Sequence, residues 1–197
     1  MKQLIITFLF IFSFTQSYAH KPVLNENSTY PADAPYEIEE PEISKAIYST
    51  LTGDPHYYRI QSDVDFDFYA GILAAKIGEC ALERKFSFEV LDSEFHNIDV
   101  ADGENFKWTP WYEEYGKQWY WNGPEIGKNF LSDRIYKAGT YYIKVFNSNN
   151  TGQYIMAVGD IEKFSFTDII GLIFSLGDIE DEFWDPNLCG LSLQESS

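Results

Sequence analysis

The run Ala138-Gly139-Thr140-Tyr141-Tyr142-Ile143-Lys144-Val145-Phe146, the turn residues Asn149-Asn150-Thr151-Gly152 and the run Gln153-Tyr154-Ile155-Met156-Ala157-Val158 decide the fold class. In the first run Tyr142, Lys144 and Phe146 fall on one side and Tyr141, Ile143 and Val145 on the other. That is the period of two that a strand imposes on its side chains. Outward from this region the same texture repeats. Ile43 to Leu51 is followed by Gly53-Asp54-Pro55, His56 to Gln61 leads into Asp63-Val64-Asp65-Phe66-Asp67-Phe68-Tyr69, and Lys85 to Leu91 places Phe86, Phe88 and Val90 on one face. Short β-rich runs divided by turn residues, with no helices between them, predict an all-β fold over residues 43–163. The expected architecture is an antiparallel β-sandwich, jelly-roll-like or Ig-like. Residues 164–197 are expected to form a short C-terminal helix and tail. Thr167 or Asp168 supplies a cap, Ile169, Ile170, Leu172, Ile173 and Leu176 hold helical positions, and the acids from Asp178 to Glu182 end the helix.

The chain has 197 residues, 14 Lys and Arg against 31 Asp and Glu, a formal net charge of -17 and 18% aromatic residues. So aromatic a chain can bury a core, which excludes a disordered protein. Its acidity excludes nucleic acid as a partner, because phosphate binding needs clustered cations, and it disfavours anionic lipid surfaces for the same reason. Met1 to Ala19 has Lys2, an apolar run from Leu4 to Phe14 and small residues before a cut after Ala19, the pattern of a signal peptide. That apolar run reaches only about 16 Å as a helix, against a hydrocarbon core of about 30 Å. Cleavage leaves no transmembrane span, and the expected location is periplasmic or secreted.

Residues 20–42 carry Pro22, Pro31, Pro35 and Pro41 among Glu37, Glu39, Glu40 and Glu42. Proline removes donors and the acids repel, so this stretch is predicted as an extended acidic linker. The chain has only two cysteines, Cys80 and Cys189. In an oxidising compartment they are expected to form a disulfide that pins the tail to the body. Two unconnected thiols are the alternative, since a pairing read from sequence carries no geometry.

The stretch Ile43-Ser44-Lys45-Ala46-Ile47-Tyr48-Ser49-Thr50-Leu51-Thr52-Gly53-Asp54-Pro55-His56-Tyr57-Tyr58-Arg59-Ile60 resembles a poorly characterised family of exported bacterial β-sandwich proteins. So do Trp119-Tyr120-Trp121-Asn122-Gly123-Pro124-Glu125 and the closing runs Ala138 to Phe146 and Gly152 to Gly159. The closing runs are also loosely similar to pre-peptidase C-terminal domains. The resemblance spans roughly residues 40–165. It implies a sandwich acting as an accessory or binding module outside the cytoplasm, and it supplies no catalytic residues.

Two groups of residues invite a chemical role. Asp63, Asp65 and Asp67 suggest calcium, but Phe68 and Ala74 stand where an EF-hand loop needs Gly and a bidentate acid. On a straight strand neighbouring carboxylates lie about 6.6 to 6.8 Å apart, so all three cannot reach one ion. A solvated face is the expected arrangement, with one or two ligands contributed to a site completed elsewhere as the alternative. The second group is the aromatic stretch Phe106 to Glu125, which holds four of the five tryptophans. Trp108, Trp111, Trp119 and Trp121 could stack on sugar faces, with Glu113, Glu114 and Glu125 as polar or calcium-supporting groups. The competing reading places these rings in the core, with Trp119 and Trp121 inward around an outward Tyr120.

The expected function is therefore a non-catalytic binding or accessory module with a glycan or another exported protein as partner. The alternative is a structural or assembly partner that docks through strand edges or through Ile169 to Leu176, with peripheral membrane contact by the C-terminal helix as a lesser variant. Glu113, Glu114 and Glu125 could furnish a glycoside hydrolase pair, a remote alternative in so small a domain. There is no G-x-S-x-G, no H-E-x-x-H and no phosphate loop, and His56 is expected as a packed or surface histidine in a strand.

Overall fold

The computed structural model describes residues 21–24, 29–114, 116–163, 177 and 179–189. In chain order the strands are β1 (Lys21–Leu24), β2 (Tyr36–Ile38), β3 (Lys45–Thr52), β4 (His56–Ser62), β5 (Phe66–Phe68), β6 (Ala70–Ala75) and β7 (Ser87–Leu91). They continue with β8 (Asn97–Ala101), β9 (Thr109–Glu113), β10 (Gln118–Ile126), β11 (Arg134–Tyr136), β12 (Gly139–Phe146) and β13 (Thr151–Val158). Two sheets form the sandwich, one ordered β1-β3-β13-β6-β10-β9 and the other β2-β4-β12-β7-β8, while β5 and β11 make a two-stranded ribbon. The two runs that open the sequence analysis, β12 and β13, belong to opposite sheets, as do β3 and β4 across Gly53-Asp54-Pro55. Short turns therefore carry the chain from one layer to the other.

The stretch expected as a linker is extended, but it is packed. β1 pairs in parallel with β3 and β2 in parallel with β4, whereas the other strand pairs are antiparallel. Tyr30 and Ile38 are buried in the core. The proline and glutamate positions mask this, because edge strands tolerate missing donors and keep their acids in water.

The main core fills the space between the sheets with Ile47, Leu51, Tyr58, Ile60, Phe86, Phe88, Val90, Ile143, Val145, Tyr154, Met156 and Val158. The alternation of Phe88 with Val90 and of Ile143 with Val145 thus points inward as strand periodicity requires. β13 is buried on both faces. Tyr154, Met156 and Val158 enter the main core, while Ile155 and Ala157 join a second cluster with Ala46, Tyr48, Tyr69, Leu73, Tyr120, Ile179 and Phe183. Such a strand reads as a continuous apolar run.

The second cluster is closed by C-terminal residues. Residues 179–183 are helical, and the Trp184 N–H donates to the Glu180 carbonyl at 3.0 Å. Glu180, Asp181 and Glu182, expected to end a helix, therefore lie within one. Ile179 and Phe183, four apart, share a helix face and are buried on the sheet, and burial of such side chains contributes about 1.5 to 3 kcal/mol each. The Ile169 to Leu176 segment lies outside the described residues. Cys80 and Cys189 form a disulfide with a Cα–Cα distance of 6.1 Å. It ties this cover to the loop that leaves β6.

One polar network lies inside the sandwich. His56 Nδ1 is 3.1 Å from Ser49 Oγ and 2.8 Å from the Tyr154 hydroxyl, which is itself 2.6 Å from the Tyr58 hydroxyl. Tyr30 closes it with its ring edge-on to His56 at 5.5 Å. A serine beside a histidine is the arrangement of a nucleophile and its base, yet Ser49 and His56 are both buried among rings and no substrate atom can reach them. The network is structural, as the strand position of His56 implied. Replacing Tyr154 by Phe deletes the hydroxyl that His56 and Tyr58 share and is expected to destabilise the protein by about 1 to 3 kcal/mol in urea. An unchanged unfolding midpoint would show that the network contributes nothing.

Candidate binding site on the aromatic hairpin

The aromatic stretch is a β-hairpin rather than a loop, with Trp119 opposite Tyr112, Tyr120 opposite Trp111 and Trp121 opposite Pro110. Across the turn the Glu113 carboxylate accepts from the Gly116 N–H. Because side chains alternate, the hairpin shows two different surfaces. Tyr120 and Trp111 turn toward the second cluster. Trp111 lies 5.7 Å from Tyr120 and 5.0 Å from Phe130, and the Tyr120 hydroxyl is 2.9 Å from that of Tyr48. Trp119 and Trp121 share the other face, as the competing sequence reading supposed. That reading fails for Trp119, which is exposed rather than inward, and for Tyr120, which is only 7% exposed because Trp184 packs edge-on against it at 5.1 Å.

The four candidate tryptophans therefore separate. Trp108 is 8% exposed and part of the main core, so it is not a stacking surface. Its indole N–H donates to the Gly103 carbonyl at 2.9 Å. Its ring lies across Gly123, where a Cβ would come within 2.4 Å of the indole and 2.6 Å of the Ile72 carbonyl oxygen. This close approach explains the glycine in Trp121-Asn122-Gly123-Pro124. Trp121 is half-buried against the core with the Lys76 ammonium 5.7 Å from its ring centroid. Trp111 is half-buried in the second cluster. Only Trp119 is open, at 47% exposure.

Trp119 is paired with a residue that sequence reasoning missed. Tyr112 is 39% exposed, and the two ring centroids are 5.1 Å apart. The signal was present as Trp111-Tyr112 and Trp119-Tyr120 on either side of one turn, and only strand register shows which rings meet. The platform is anchored from behind. The Trp119 carbonyl accepts from the Lys76 N–H at 2.9 Å and from the Trp184 indole at 3.0 Å. Both bonds connect it to the segment that the disulfide secures.

The acids near the hairpin have structural duties. The Glu125 carboxylate accepts the N–H groups of Asn129 and Phe130 at 2.8 and 3.0 Å, two residues with φ of 54° and 64°. Glu125 also stands beside the Tyr69 hydroxyl, whose pKa is pushed well above the ordinary phenol value by burial and by this neighbour. Glu113 holds the hairpin turn, and Glu114 is exposed. Glu113 and Glu125 thus serve backbone turns, which is not the free acid and base of a glycosidase.

The calcium candidates also separate. Only Asp67 lies within β5, so the three acids do not line one straight strand. Asp65 meets the Lys137 ammonium at 2.7 Å and accepts the Ala138 N–H at 3.0 Å, and these bonds hold its carboxyl below the usual range. The Asp67 N–H donates to Glu42, and Asp63 is exposed. Among the described residues no group of three or more His, Cys, Asp or Glu side chains is placed to hold a metal ion. No helix among them is long and apolar enough to cross a membrane.

Fold and site together define a β-sandwich protein with an aromatic hairpin at the edge of its six-stranded sheet. No family model and no curated protein matches the chain. Among solved structures it is loosely similar to the pre-peptidase C-terminal domain of a collagenase from Bacillus anthracis, with 12% identity, a TM-score of 0.35 and coverage of 64% of this chain and 92% of that one. It is also similar to the catalytic domain of a GH87 alpha-1,3-glucanase in complex with nigerose, with 10% identity, a TM-score of 0.31 and coverage of 61% of this chain and 22% of that one.

Proposed function

We propose that this protein is an exported, non-catalytic accessory module that binds glycan on the Tyr112–Trp119 platform. The observation that carries this reading is an exposed pair of rings held on a backbone that is fixed by the sheet, by Lys76 and by Trp184. Sugar C–H faces stack on such rings, and a platform whose backbone is already ordered binds without a further ordering cost. Export is supported by the leader-like Met1 to Ala19 and by the Cys80–Cys189 disulfide.

The test is co-sedimentation with a panel of insoluble polysaccharides, followed by calorimetry with soluble fragments. Trp119→Ala and Tyr112→Ala are each expected to weaken binding about 3- to 10-fold, the range that one aromatic contact supplies, without lowering the melting temperature. Retention of full affinity in the double variant would overturn the reading. A second reading, assembly with another exported protein, is favoured by the exposed Phe95, Ile98 and Val100 around the outer strand β8. Concentration-dependent solution mass distinguishes the two.

A further inference from the structure

A cavity of about 610 Å³ lies beside the disulfide and is not lined by the platform rings Tyr112 and Trp119. Its apolar wall is made by Ile77, Leu82, Phe86, Phe183 and Leu188 together with the Cys80–Cys189 bridge. Polar side chains line the rest of it, namely Thr50, Glu83, Arg84 and Gln153. Thr50 comes from β3, and the Gln153 amide is already donating to the Glu182 carbonyl at 3.1 Å. Glu83 is exposed, whereas Arg84 is half-buried. Among the described residues Arg84 makes no salt bridge, although acids outnumber cations two to one in this chain.

The position of Arg84 is built into the backbone. Its side chain lies across Gly152, where a Cβ would meet the Arg84 Cδ at 2.5 Å and Nε at 3.1 Å, and the Phe86 ring at 3.4 Å. Gly152 has φ +105°, a conformation that side-chain-bearing residues rarely adopt. The start of β13 therefore needs glycine twice, for its dihedral and for the passage of the arginine stem. A half-buried guanidinium that gains no acidic partner among the described residues keeps its donors for an external acceptor.

We infer that this cavity binds a single-chain alkyl carboxylate, with the carboxylate on Arg84 and the alkyl chain against Ile77, Leu82, Phe86, Phe183 and Leu188. Planar, forked guanidinium geometry matches a carboxylate in a way that a point charge does not.

The experiment titrates sodium decanoate into the oxidised full chain by calorimetry below the micellar range, with 1-decanol as the uncharged control and Arg84→Met as the variant. Saturable decanoate binding is expected, weakened about 10-fold or more by Arg84→Met and by replacement of decanoate with decanol. Absence of saturable binding, equal affinity for decanol, or equal affinity in a folded Arg84→Met protein would each overturn the assignment. If Arg84→Met does not fold, the comparison of decanoate with decanol on the unaltered chain still decides it.

Discussion

Replacing Cys80 and Cys189 together by alanine is expected to lower the melting temperature by roughly 10 to 20 °C. The bond joins residues separated by 109 positions, and for a loop of that length the chain-entropy model assigns about 4 to 5 kcal/mol. For a chain of this size each kcal/mol moves the midpoint by about 2 to 4 °C. The bond also acts locally, since Cys189 follows the turn that places Ile179, Phe183 and Trp184 on the second cluster. Loss of the tie is expected to loosen that cover first. Calorimetry with tryptophan fluorescence checks both parts, because Trp184 packs edge-on against Tyr120 and donates to Trp119. A midpoint within 3 °C of the oxidised protein would show that packing alone holds the C-terminal cover.

Alkaline pH is expected to unfold the protein sharply between pH 10 and 12. Burial is the leading cause that raises the phenol pKa of Tyr30 and Tyr48 to about 12 and drives those of Tyr36, Tyr58, Tyr69, Tyr120, Tyr136 and Tyr154 upward as well. In the unfolded chain these phenols ionise near pH 10. Below that value both states are protonated and stability is intact. Above it the unfolded state binds fewer protons than the folded state, so each fully buried phenol removes about 1.4 kcal/mol per pH unit. With Tyr48, Tyr58, Tyr69 and Tyr154 all buried, the combined loss over two units is about 11 kcal/mol, comparable with the whole reserve of a typical domain, about 5 to 15 kcal/mol. Phenolate absorbance and circular dichroism should change together. If the buried tyrosines ionised while the dichroism stayed native, the phenols would have to be accessible in the folded protein.

The strands that alternate most clearly were legible in the chain. Lys85 to Leu91 and Thr140 to Phe146 match β7 and β12 closely, because Phe88 with Val90 and Ile143 with Val145 alternate into the core. β6 and β10 were not legible. β6 reads Ala-Gly-Ile-Leu-Ala-Ala and is buried on both faces, so it has no alternation to detect. β10 carries glycine and proline, residues that mark a loop in sequence, and they are tolerated here because a bulge lies between Asn122 and Glu125 and Trp108 occupies the space above Gly123. β1 and β2 were hidden by their prolines and glutamates.

Composition, the period-two runs and the cysteine count by themselves determined an acidic all-β protein with one possible intramolecular disulfide, because those properties depend on local stereochemistry and on residue inventory. Which aromatic rings are free was decided by tertiary structure. Trp108, Trp111, Trp119 and Trp121 are alike as residues, but they differ once β10 is placed between β6 and β9 and the C-terminal residues cover one side of the sheet. The same holds for Arg84, which becomes a recognition group only where Gly152 lets its stem pass and the disulfide closes the opposite wall. Strand register and sheet order join residues far apart in the chain, and solvent access depends on what those distant residues cover.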